Sequence, residues 1–91
     1  MKNKVLIKLI VPELNQIYDL FIPVNEYMWR INKLLIKAVS DLSDGVLDIN
    51  NNYVLVNKVT GNIYHNDDII IKTDIRNGSE LVLFSLNTSS K

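Results

Sequence analysis

Only one stretch of this chain, Asn25 to Gly45, carries apolar residues at helical steps. Met28, Ile31, Leu35, Ala38 and Leu42 recur every three or four positions, with Leu34 and Val39 flanking them. Lys33, Lys37 and Asn32 fall elsewhere around the axis, so the stretch predicts a single amphipathic helix of about four turns. Asn25 is read as its N-cap, with Glu26 suited to the positive end of the dipole. Ser43-Asp44-Gly45 stops it, with Gly45 free to adopt a left-handed cap. A lone helix cannot bury its own stripe. The rest of the chain must supply a surface for it to cover.

That surface is predicted from short alternating segments on either side. Val5–Val11 is β-branched, with Val5, Ile7, Leu9 and Val11 on one face and Leu6, Lys8 and Ile10 on the other. Pro12–Gln16 has turn chemistry, Pro removing a ladder donor and Asn15 tolerating turn angles. Ile17–Ile22 then returns as the second arm of a hairpin, with Tyr18, Leu20 and Ile22 inward and Asp19 and Phe21 outward. After the helix, Val46–Asn52 is irregular. Tyr53–Lys58 reads as a third strand, with Val54 and Val56 inward and Leu55 outward. Ile63–His65 reads as a very short fourth strand. Ile69–Ile71 is too short to decide between a helical turn and extended chain. Arg76–Ser79 is a tight turn, and Glu80–Leu86 a closing strand with Leu81 and Leu83 on one face and Val82 and Phe84 on the other.

The arrangement that satisfies this order sets the first and last strands side by side in the centre, parallel, with the helix in the crossover. The expected class is α+β: a β-grasp, in which a mixed sheet of four to five strands packs on one helix. With 91 residues the chain holds one small core, so a single domain over 1–86 is expected, followed by a polar, disordered tail over 87–91.

Composition narrows function mainly by exclusion. Ten basic and ten acidic side chains cancel, which removes the summed phosphate attraction that nucleic-acid binding needs. Without cysteine there is no disulfide scaffold, thiolate metal site or thiol nucleophile. The apolar run Val5–Val11 is broken by Lys8 and ended by Pro12, too short for a signal peptide or a membrane span. The cytoplasm, with no direct membrane insertion, is therefore the expected location.

No catalytic constellation emerges, and none is expected. His65 is the only histidine and reads as a solvated loop residue. Asp48–Asn52 starts like a calcium loop, but Tyr53 and Val59 stand where glycine and a bidentate glutamate are needed. The three glycines are scattered, which leaves no phosphate cradle. No metal or cofactor is expected. The informative feature is instead an oily outer sheet face, assigned to Leu6, Ile10, Phe21, Leu55, Val82 and Phe84, as a candidate protein-binding surface. Such a face also permits self-association into a homodimer. Trp29 and Ile36 form either a second exposed stripe or, for Trp29, a clamp on the helix start.

Four segments, taken in order and spacing, carry a family resemblance. They are Lys4–Val11; Tyr18-Asp19-Leu20-Phe21-Ile22-Pro23 running into the helix; Tyr53–Lys58; and Asp74-Ile75-Arg76-Asn77-Gly78-Ser79-Glu80-Leu81-Val82-Leu83. The chain resembles ubiquitin-like proteins, and more narrowly the YukD/EsaB family of accessory proteins in Gram-positive type VII secretion systems. The resemblance implies a cytoplasmic ubiquitin fold without a conjugating tail, and the sequence ends Ser89-Ser90-Lys91 rather than in a Gly-Gly pair. It implies a non-enzymatic accessory or regulatory role, exercised by protein–protein contact with a membrane-anchored secretion machine. The alternatives are a ubiquitin-like regulatory domain unconnected with secretion and, disfavoured by the missing glycines, a sulfur carrier or protein modifier.

Overall fold

The computed structural model describes residues 3–86; the tail expected over 87–91 lies outside them. Among the described residues, four strands form one sheet: β1 (Lys4–Val11), β2 (Gln16–Pro23), β3 (Tyr53–Asn57) and β4 (Glu80–Ser85), with one α-helix, α1 (Met28–Leu42). The spatial order is β2-β1-β4-β3. β1 pairs antiparallel with β2 and parallel with β4, and β3 pairs antiparallel with β4. The first and last strands are central neighbours, and the fold is a β-grasp.

The hairpin turns where proline and asparagine require it. Pro12–Leu14 is one 3-10 turn, and Asn15 takes a left-handed φ of 53° while its N–H donates to the Pro12 carbonyl. The parallel β1–β4 pair is fastened at its other end by the Asn77-Gly78 turn. The Asn77 side-chain oxygen accepts from the Leu6 N–H at 2.8 Å, and the Gly78 N–H donates to the Leu6 carbonyl at 2.8 Å. Gly78 adopts φ +88°, a conformation that costs any residue with a Cβ.

The helix covers the inner sheet face through Met28, Ile31, Leu35 and Val39, all buried. Its start differs from expectation. Tyr27, not Asn25, is the N-cap, and no side chain caps it. The first amides are satisfied from afar: Met28 and Trp29 donate to the carbonyls of Asp68 and Asn66. Tertiary structure thus does the work expected of a local cap. At the far end the Gly45 N–H donates to the Ser40 carbonyl at 2.7 Å, and both Asp44 and Gly45 are left-handed. Leu42 lies on the predicted stripe yet is exposed, and lines only a shallow depression with Leu14, Tyr18 and Val46.

Ile63 makes a single antiparallel bridge to Val56 instead of a strand. Ile70–Lys72 is a 3-10 turn that buries Ile70, anchored where the Ile70 and Ile71 amides donate to the Glu26 and Val24 carbonyls. Leu47 from the irregular 46–52 segment and Ile75 complete the core. Among the described residues, no helix is long and apolar enough to cross a membrane.

Candidate functional site

Strand register decides which side chains can act. Tyr53, Leu55 and Asn57 point into the core, while Val54 and Val56 lie on the outer face. This reverses the sequence reading of β3. Leu55, assigned to the binding face, is 1% exposed and belongs to the core. The misleading signal is Asn57, a polar residue that alternation places outside. It is buried, and its polar atoms are occupied: the side-chain oxygen accepts from the Val59 and Thr60 amides, and Nδ2 donates to the Tyr64 hydroxyl at 3.1 Å. A buried asparagine that organises its own turn is compatible with the inner face.

The other five assigned residues lie on the outer face. Leu6, Phe21 and Phe84 are exposed, Phe21 at 64% and Phe84 at 44%. Ile10 is partly covered, and Val82 is 8% exposed because its neighbours shield it. They do not form one patch. Pairing sets Ile17, Ile10, Val82 and Val56 in a row across all four strands, extended by the bridge from Val56 to Ile63. Phe84 and Val54 pair in the next row. Leu6 and Phe21 pair on the opposite side of a charged row formed by Asp19, Lys8 and Glu80, with Lys58 beyond them. Lys8 Nζ stands 3.3 Å from Asp19 Oδ1, and Lys58 Nζ 3.3 Å from Glu80 Oε1. The contiguous apolar surface is therefore Ile10, Ile17, Val54, Val56, Ile63, Val82 and Phe84. Sequence reasoning missed Ile17, Val54, Val56 and Ile63. A β3 assignment anchored on Leu55 as core would have found the two valines, since a one-residue slip exchanges the faces.

A polar cluster lies at the edge beyond β3. The Asp74 carboxylate accepts from the Tyr64 hydroxyl, from Asn62 Nδ2 at 2.8 Å and from Thr60 Oγ1 at 3.2 Å. Burial, followed by the hydrogen bond to Asp74, pushes the Tyr64 phenol up to about 12, while the Tyr64 hydroxyl, ahead of the other donors, pulls the Asp74 carboxyl below its ordinary range. The cluster ties the 57–64 turn to the 70–76 segment. Each member has an internal partner, which fits a structural fastening rather than a reactive centre. His65 is exposed beside Asp68, and among the described residues no group of three or more His, Asp or Glu is placed to hold a metal ion.

On the helix, Trp29 is 44% exposed with the Lys33 ammonium 5.7 Å from its ring centroid, and Ile36 packs partly against the core. Neither an unbroken exposed stripe nor a buried clamp describes them. They line one side of a shallow groove against Ile49 and Asn50.

No protein-family profile matches the sequence, and no curated protein matches it. The fold matches solved structures. The EccD5 ubiquitin-like domain from Mycobacterium xenopi superposes with a TM-score of 0.73 at 12% identity, over 94% of this chain and 98% of that domain. A chain of the MycP5-free ESX-5 inner membrane complex gives a TM-score of 0.78 at 14% identity, with 98% of this chain matching 22% of that one. The N-terminal ubiquitin-like domain of the 4931431F19Rik protein gives 0.67 at 20% identity, over 98% of this chain and 81% of that one. At these identities the likeness establishes the ubiquitin-like fold.

Proposed function

We propose that the chain is a non-enzymatic, ubiquitin-like accessory protein of a type VII secretion system, of the YukD/EsaB kind, acting in the cytoplasm by binding a protein component of the machine. The observation that carries this reading is the outer sheet face, where Ile17 and Phe84 are exposed, Ile10, Val54 and Val56 are half-buried, and Val82 fills the space between them. Fully burying an exposed large apolar side chain is worth about 1.5–3 kcal/mol, so Ile17 and Phe84, the most exposed members, have the most to gain from a partner, and an aromatic in such a patch is a common energetic anchor. The likeness to EccD5 and to a chain of the ESX-5 complex supports secretion as the setting. A second reading, a ubiquitin-like interaction domain outside secretion, draws on the likeness to the 4931431F19Rik domain.

Affinity capture from cytoplasmic and membrane fractions separates the two. Recovery of secretion-machine components by the native chain, lost with Phe84→Asp, supports the first. Recovery only of unrelated proteins through the same face supports the second. Equal recovery by the native and Phe84→Asp chains would remove the outer face from both.

A further inference from the structure

The charged row that divides the outer face alternates in sign. From β2 across to the end of β3 it reads Asp19, Lys8, Glu80, Lys58. Neighbouring strands lie about 4.8 Å apart, so the row is about 14 Å long. Consider a two-fold axis parallel to β1 and β4, passing between them just above the face. It exchanges β2 with β3 and β1 with β4 while keeping every row at its own height. The rotated copy then presents plus, minus, plus, minus to minus, plus, minus, plus. Asp19 meets the second copy's Lys58, and Lys8 meets its Glu80. The apolar row obeys the same operation: Ile17 meets Val56 and Ile10 meets Val82. We propose that this face pairs with the same face of a second copy of the chain about that axis, forming an isologous dimer.

The proposal rests on the outer face being a binding surface and names one occupant of it. The apolar row supplies attraction, and the charged row supplies registry, as expected of a partly exposed ion-pair array. A slip by one strand sets like charges against each other, so the row selects one alignment. Face-to-face sheets with roughly aligned strands also match the usual geometry of sheet packing. Four strands span a face of about 19 Å by about 20 Å, on the order of 400 Å² per copy, roughly half of what a standard specific interface buries per partner. The pairing is accordingly weak and exchangeable, and it competes with any other protein that uses the face.

Sedimentation velocity over about 10 µM to about 1 mM, a range that brackets weak association, tests it with charge reversals. The native chain should show concentration-dependent dimers. Lys8→Glu sets the central pair of the row against like charges, and so does Glu80→Lys, so each variant alone should associate at least tenfold more weakly. An equimolar mixture of the two restores opposite charges at all four positions and should recover dimers as heterodimers. The residues are at the surface, and circular dichroism checks that both variants fold. An experiment on the native chain needs no variant: in an isotope-mixed sample, intermolecular contacts should join Ile17 of one copy to Val56 of the other. A native chain monomeric throughout, variants that dimerise like it, a mixture that fails to recover, or contacts through other surfaces would each overturn the proposal. If the native chain stays monomeric while Phe84→Asp still loses a secretion component, self-pairing fails and the proposed function stands. If dimers of the predicted kind form and no secretion component is captured, self-pairing stands and the proposed function fails.

Discussion

The carboxylate of Asp74 gathers three donors, and one of them, the Tyr64 hydroxyl, can donate only while it keeps its proton. The phenol is held from its ordinary 10.0 up to about 12. Its folded value lies above its unfolded one, so the stability it contributes is complete below pH 10 and is lost as pH rises toward about 12. An ultraviolet titration should show a tyrosine step near the upper value that Tyr64→Phe removes, while the burial-raised Tyr53 phenol remains in the variant. Asp74 has the opposite sign. Its folded carboxyl is depressed, so its contribution is present above the ordinary carboxylate range and fades as pH falls through the folded value. Gly78 offers a separate test. A Cβ placed there meets nothing within 4 Å, so only the φ of +88° resists substitution. Gly78→Ala should therefore cost about 1 kcal/mol, read from the shift in urea midpoint at unchanged slope. The Arg76–Ser79 turn was legible in the sequence because Asn-Gly specifies its own geometry. The inward side chain of Asn57 was not, since the two amides and one hydroxyl that satisfy it come from residues that alternation cannot bring together.

At the scale of elements, the helix and the β1–β2 hairpin follow from periodicity because each has a strong local signal: a four-turn stripe, and a Pro-to-Gln16 turn. β3 is harder. Tyr53 to Val56 are apolar without a break, so the segment reads equally well on either face, and the choice falls to tertiary contacts. Its observed register makes a sharp prediction about adjacent positions. Leu55→Asp puts a charge into the core beneath α1 and should cost on the order of 4 kcal/mol or more, enough to unfold a domain of this size. Val54→Asp, one residue away on the outer face, should cost about 1 kcal/mol through lost strand propensity and leave the cooperative transition intact. Circular dichroism with urea unfolding reads both. A folded Leu55→Asp beside an unfolded Val54→Asp would restore the opposite register. The helix start was illegible for a related reason. Its cap is made of carbonyls from Asn66 and Asp68, some forty residues distant in the chain.

For the whole molecule, one face of the sheet is consumed by the helix, and the other is left with an apolar row, an aromatic pair of positions at Phe21 and Phe84, and a charged row between them. The core beneath the helix closes through Ile7, Leu9, Leu55, Leu81 and Leu83, and of the outer row only Val82 is buried. Side chains that the core does not use, arranged contiguously on the surface, are free to serve recognition. The existence of the face is legible from β1 and β4. Its actual extent needs the register of β3 and the pairing of Ile17, which no local pattern marks. The most direct measurement is amide and methyl NMR of the native chain as a captured secretion component is added. Signals of Ile10, Val54, Val56, Val82 and Phe84 should shift or broaden first, with Trp29, Lys33 and Ile49 unchanged. Perturbations confined to the groove beside Trp29, with the sheet face silent, would contradict recognition through the outer sheet.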